Sequence, residues 1–306
     1  MNFAPMTLGA ETGDGFITSI AAFKKLGGKN TLGIEAKHSA SGKISQDLLS
    51  ARYFLGKNAA RESLLSIGIV RKWTYRFASA IALKYIYSNI GYTTDEDESL
   101  RVTPGQGIAG DLSFSFIQPI EMGGISSNLM LGLAVTNLGP RVVYSSNSKK
   151  EFLPANIGLG VGWAFEYNES SSISLLADAN KLLVPSPNDF YDTCDGLLCS
   201  HKVENNFLKA AWRSFYDADG GFSEELAEIY YSFGVEYEYQ EKWFLRSGYL
   251  YEHADRGNRK ILCLGIGYGF RNVVTDLSFQ IPIIEQEVND NQFRFSIGYR
   301  WEKSKG

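Results

Sequence analysis

The stretch FRFSIGYRW, Phe293 to Trp301, places a large apolar residue at every second position: Phe293, Phe295, Ile297, Tyr299 and Trp301. Between them stand Arg294, Ser296, Gly298 and Arg300. A period of two is the signature of a β-strand with one apolar face and one polar or small face. The same alternation recurs along the chain. RFASAIALKYIY sets Phe77, Ile81, Leu83, Tyr85 and Tyr87 against Ala78, Ala80, Ala82 and Lys84. GDLSFSFI, LMLGLAV, SISLLADAN, ILCLGIGYGF and VVTDLSFQI repeat it. We count about thirteen such segments of roughly nine to thirteen residues, against about five or six for an ordinary globular strand. A tilted strand of that length spans the hydrocarbon of a bilayer.

The connections carry a second regularity. Read back from the C-terminus, long segments such as PIIEQEVNDN and EHADRGN alternate with short ones such as RNV and YQEKW. Tight turns on one rim and long loops on the other are the habit of outer-membrane barrels. In a soluble barrel the second face would be solvated; here it is mostly Gly, Ala and Ser with isolated charges, which suits a lumen. The stripe is therefore expected to face lipid, with Tyr299 and Trp301 at an aromatic girdle.

Bacterial single-chain barrels have an even number of strands. We expect a single all-β domain over 1–306, an antiparallel fourteen-stranded transmembrane β-barrel whose first strand is the stub MNFAP. The start lacks a basic segment followed by an apolar core, so a signal peptide, a plug-like segment and the rest of that strand are expected upstream. No apolar run reaches the roughly 18 residues of a spanning helix, a test blind to alternating strands.

The net charge of -4 gives no basic footprint for nucleic acid. No nucleophile stands with its base, so no enzymatic activity, cofactor or metal is expected. His38, His201 and His253 lie in or near different loops without ligand spacing. The glycines of GIGYG lie inside a strand, where a dinucleotide fingerprint needs a strand-to-helix turn. The acidic run Asp95 to Glu98 lacks the fixed pattern of a calcium loop.

Cys194 and Cys199, in CDGLLC, suit a local disulfide in an oxidising compartment, and Cys263 is expected to stay reduced in the lumen wall. Glu236 and Arg246 occupy the non-lipid face of two strands joined by a short turn. If Tyr239 opposes Trp243, Glu236 opposes Arg246, and the expected role is a lumenal ion pair. The segment Pro185 to Phe222 is the longest connection and reads as the least strand-like. It carries Phe190, Tyr191, Leu197, Leu198, Trp212, Phe215 and Tyr216. Aromatics at that density mark a binding surface or a loop folded over the barrel mouth.

The segments NKLLVPSPND, FLPANIGLG and GGFSEELAEIYYSFGVEYEYQEKWFLRSGYLYEHADRGNRK resemble the PorV/PorQ outer-membrane proteins of the Bacteroidota. The resemblance implies a FadL-like fourteen-stranded barrel of the type IX secretion system in the outer membrane. It also implies a shuttle that receives cargo by its C-terminal signal domain from the translocon SprA. Cargo would then pass to the attachment complex containing the sortase PorU. Outer-membrane lipid is the remaining partner, the long loops are expected outside the cell, and the cargo-binding loop is expected to be the segment named above. A FadL-like channel for hydrophobic small molecules is the alternative on the same fold.

Overall fold

Turn chemistry sets the rhythm of the chain. In the computed structural model, Gly123 and Gly124 both take positive φ, 60° and 81°, between two strands. That is the backbone a two-residue hairpin turn demands, and glycine adopts it without steric cost. Gln240 and Glu241 (φ 54° and 55°) and Arg271 (φ 54°) do the same work at two further short turns. The structure describes residues 2–7, 15–40, 60–89, 103–144, 150–185, 191–194, 197–200, 206–218, 220–284 and 291–301, with backbone alone for 2–7, 122, 191–194 and 197–200.

Thirteen consecutive neighbours form one antiparallel sheet among the described residues. They are β2 (Phe16–Lys25), β3 (Asn30–Ala40), β4 (Arg61–Lys72), β5 (Phe77–Asn89), β6 (Gly105–Met122), β7 (Ile125–Leu138), β8 (Asn156–Asn168), β9 (Ser171–Leu182), β12 (Ile229–Tyr239), β13 (Trp243–Tyr251), β14 (Lys260–Phe270), β15 (Val273–Pro282) and β16 (Gln292–Tyr299). The short β1 (Asn2–Thr7) pairs with β16 on one side and β2 on the other, so the sheet closes into a barrel. Among the thirteen, strand length runs from 8 residues in β16 to 18 in β6, wider than the alternation alone indicates. The last strand ends at Tyr299 rather than Trp301.

Between β9 and β12 the chain leaves the barrel. It forms a hairpin of β10 (Tyr191–Cys194) and β11 (Leu197–Ser200), then α1 (Phe207–Arg213) and α2 (Phe222–Ala227). The expectation that this segment is the least strand-like is thus corrected: four residues on each side of the hairpin pair as strands. Local polar patterning hid this, because neither a four-residue strand nor a two-turn helix shows a full hydrophobic period.

Which face is outside follows from the side chains. The large apolar stripe stands exposed, Ile81 at 60% and Leu159 at 59%, as residues splayed on a convex wall do. The alternate residues bond one another across strands, as converging side chains on a concave wall do. Lys84 pairs with Asp111 at 2.7 Å and donates to Asn137 Oδ1 at 2.9 Å. Asn137 donates its N–H to Asp111 Oδ1 at 2.9 Å. Asn137 has φ 59°, a left-handed geometry asparagine tolerates, and the β6–β7 register shifts beside it, between Gly110 and Leu112. Among the described residues the buried apolar set is only Ala109, Val142, Leu153, Ala155, Leu183, Ala210, Ala211 and Ala218, all of them at the long-loop rim. A sheet of this size with its apolar residues outside and no central core is a membrane wall. Trp73, Tyr239, Trp243, Tyr268, Tyr299 and Trp301 gather at the short-turn rim as a girdle. The rings of Trp243 and Tyr268 lie 4.5 Å apart, and those of Tyr299 and Trp301 4.9 Å apart.

Candidate functional site

The lumen wall carries the charged cluster built around Arg246. Glu236 and Arg246 are direct cross-strand neighbours, and Arg246 Nε donates to Glu236 Oε2. Arg246 Nη1 reaches across β14 to Asp276 Oδ1 at 2.6 Å, and Ser296 Oγ donates to Asp276 Oδ2 at 3.2 Å. The reach depends on glycine: a Cβ on Gly267 would stand 2.5 Å from Asp276 Oδ1 and 3.1 Å from Arg246 Nη1. Gly267, the second glycine of GIGYG, therefore makes room for the guanidinium. Asp276 was visible in the sequence as an inward residue; its partner two strands away was not. Glu236, Arg246, Asp276, Arg294 and Ser296 line a lumenal cavity of about 340 Å³.

The β7–β8 loop enters the mouth. Val142 and Leu153 pack on Ala109, with Ile86 and Tyr144 against them. Ile86 and Ala109 share the inner face with Lys84. Val142 and Glu151 bridge antiparallel, and Thr103 donates its N–H to Tyr144 O at 2.6 Å.

The β9–β12 connection goes the other way, onto the outer wall. Lys181 stands opposite Ile157 and Ile229, on the lipid-facing alternation that continues through Ala179 and Ala177. Ala211 of α1 packs on Ala155 and Leu183, with Val135, Leu138 and Ile157 around them. Val135 and Ile157 belong to the same outer stripes. Asn206 caps α1, accepting from the N–H groups of Leu208 at 3.0 Å and Lys209 at 3.3 Å. The buried face of the helix is Ala210, Ala211 and Ser214, small enough to let it lie close to the wall.

Carboxylates of α2 fasten this segment. Lys181 Nζ lies 2.8 Å from Glu225 Oε2 and is bonded to Glu228. Glu225 Oε1 accepts from the Ala218 N–H at 3.0 Å. Burial pushes the Glu225 carboxyl up, but Lys181 and the Ala218 N–H outweigh it and hold the group below its ordinary range. Arg256, in a 3-10 turn of the β13–β14 loop, bonds Glu224 and lies 3.4 Å from Glu228. In the same loop Arg259 grips Glu252 with two bonds, 2.9 and 3.0 Å. Two loops of the long rim are thereby tied together through α2. The sequence signal was available: Glu224, Glu225 and Glu228 in FSEELAE sit at spacings that share one helical face.

The remaining expected residues fall as follows. Trp212 (70% exposed), Phe215 and Tyr216 stand on or just after α1, on the outer wall rather than over the mouth. Tyr191, Leu197 and Leu198 lie in the β10–β11 hairpin; Phe190 lies outside the described residues. Cys199 opposes Asp192 and Cys194 opposes Leu197, which puts both cysteines on one face of the hairpin, two register positions apart. Their sulfur atoms are outside the described side chains. Cys263 is a free thiol on β14. His38 lies in β3, two residues from its end, its Nδ1 2.9 Å from Ser63 Oγ. His253 caps the 3-10 turn, and His201 and Asp95 to Glu98 lie outside the described residues. Among the described residues no three His, Cys, Asp or Glu gather as a metal site.

A closed antiparallel wall with an apolar exterior, a charged lumen, tight turns at one rim and structured loops at the other defines an outer-membrane β-barrel. Its fold is FadL-like. The Ralstonia pickettii toluene transporter TbuX superposes with TM-score 0.50 at 15% identity, over 97% of this chain and 88% of that one. The deltaS2S3 mutant of the monoaromatic hydrocarbon channel TodX gives 0.51 at 12%, over 97% and 88%. At such identities the likeness is one of fold alone. No curated protein matches the chain. Residues 2–189 match the family described as "Type IX secretion system protein PorV", and the chain belongs to that family. It is an outer-membrane protein of type IX secretion.

Proposed function

We propose that this protein is a carrier for secreted cargo rather than a pore. It takes the C-terminal signal domain of cargo from the translocon SprA and presents it to the sortase PorU and the attachment complex at the cell surface. In this reading the barrel is fourteen-stranded, and the short turns face the periplasm while the long loops are extracellular. The observation that carries it is the built platform at the long-loop rim: α2 held between Lys181 and Arg256, in a chain of the PorV family. Cys194 and Cys199 form a disulfide that stiffens the hairpin, whose Tyr191, Leu197 and Leu198, with Phe190, contact cargo.

The channel reading has less support. The lumenal cavity is lined by Glu236, Arg246, Asp276 and Arg294, and a hydrophobic passenger would have to strip water from those charges. The mouth is narrowed by Val142, Tyr144 and Leu153.

The test replaces residues 191–200 by a short Gly-Ser link and assays barrel assembly and cargo fate. A loop tip tolerates such change, so the barrel is expected to assemble. Cargo is expected to accumulate with its signal domain uncleaved. Normal surface attachment with a correctly folded barrel would remove the hairpin from the mechanism.

A further inference from the structure

The α1–α2 segment turns an apolar crest away from the wall on which it lies. Leu208, Trp212, Phe215, Phe222 and Leu226 are all exposed, Phe222 at 78%. The crest is ordered rather than scattered: the rings of Trp212 and Phe215 lie 6.2 Å apart, tilted by 59°. Lys209 and Arg213 put positive charge on the same exposed side.

Directly below is a groove in the outer wall. Where α1 covers Val135 and Ile157, the next outward residues of the same strands are Leu133 and Leu159. Beside them the outward residues of β9 shrink to Ala179 and Ala177, flanked by Leu159 and Val161 on one side and Tyr231 and Phe233 on the other. The result is an apolar depression of about 490 Å³. It opens onto the face that the alternation immerses in hydrocarbon.

We propose that this segment is a membrane-surface foot that seats a lipid of the leaflet at the long-loop rim. One acyl chain lies in the groove over Ala177 and Ala179. Trp212, Phe215 and Phe222 lie at the boundary of hydrocarbon and headgroup, with Lys209 and Arg213 reaching the phosphates. The wall itself selects the occupant. The groove is continuous with the lipid-facing surface, where no water competes for it. Aromatic residues settle at the interface because one part of the ring system is apolar and the other wet. The basic side chains bury their stems and keep their ends in the headgroups. The charges beneath the helix are largely paired among themselves: Lys181 and Arg256 stand against Glu224, Glu225 and Glu228, which leaves one carboxylate in excess. The crest supplies at this rim the aromatic belt that Trp73, Trp243 and Trp301 supply at the other. The inference rests on the barrel being embedded in a membrane and not on cargo delivery; its readouts use no cargo, so the two readings fail separately.

The test uses the full chain reconstituted in phosphatidylcholine–phosphatidylglycerol vesicles with bromine at defined acyl depths. The Trp212 signal is the difference between wild type and Trp212→Phe. Quenching by shallow acyl bromine, with weak quenching by acrylamide from water, is expected. Strong acrylamide quenching with none from bromolipid would overturn the interfacial placement. In native outer membranes a photo-crosslinker at position 212 is expected to give lipid adducts; a protein adduct, including a second copy of this chain, would overturn it. For the groove, Ala179→Phe is expected to lower the phospholipid retained through detergent purification at least twofold, with the heat-modifiable mobility of the barrel unchanged. Should that variant fail to fold, Ala177→Leu makes the same measurement. Unchanged retention in a folded groove variant would overturn the acyl-chain site.

Discussion

Replacing Lys181 by methionine removes the cation that holds α2 to the barrel wall. The exposures of Lys181, Glu225 and Glu228 are 7%, 9% and 16%, so the triad sits largely out of water. Removing one partner of a buried pair costs about 3–5 kcal/mol, because a charge is left behind uncompensated. Part of that is relieved here: Glu228 keeps Arg256 at 3.4 Å, and Glu225 keeps the Ala218 N–H at 3.0 Å. The lower end, about 3 kcal/mol, corresponds to roughly a hundredfold shift toward the open segment. Hydrogen exchange in detergent micelles reads this directly. Amides of 206–228 are expected to exchange about a hundredfold faster, or to reach the unprotected rate. The ladders of β12 to β16 are expected to stay as protected as in wild type. Adding Glu225→Gln to Lys181→Met takes away the bare carboxylate and is expected to recover part of the protection. Less than a threefold change in 206–228, or equal loosening of the barrel strands, would refute the triad as the fastening.

Further outcomes follow from the same geometry. The Glu225 carboxyl is held below its ordinary value of 4.5, so its contribution is present above that pH and is lost as pH falls through the lower folded value; proteolysis of 206–228 is expected to rise only on acidification below about 4.5, and not to show that step in Lys181→Met. Mass spectrometry of unreduced peptides is expected to find Cys194 joined to Cys199, with Cys263 recovered as a free thiol; free, modifiable thiols at both hairpin cysteines in native membranes would count against the bridge. Arg246→Ala is expected to lower barrel stability by only about 1 kcal/mol, since the cluster is roughly a third exposed and screened by lumenal water. Exchanging the charges of Glu236 and Arg246 is not expected to restore it, because the new carboxylate at 246 would face Asp276; a fully restored thermal midpoint would exclude Asp276 from the cluster.

Strand faces, the alternation of short and long connections and the pairing of Glu236 with Arg246 were legible in the sequence. Each is local: a period of two decides which side a residue takes, and a three-residue turn fixes the register of the strands it joins. The family segments were legible as well, though not their purpose. GGFSEELAE supplies the carboxylates, NKLL the lysine and HADRGN the arginine of a single fastening. Only the tertiary structure brought these together, because Lys181 meets Glu225 and Glu228 across a connection that carries no strand register. Likewise Arg246 meets Asp276 across an intervening strand, where Gly267 leaves the space. That Trp212, Phe215 and Tyr216 lie on the outer wall was not legible, for the same reason. The small face of α1, Ala210, Ala211 and Ser214, fits either surface; the outward parity of Val135, Ile157 and Lys181 decided it.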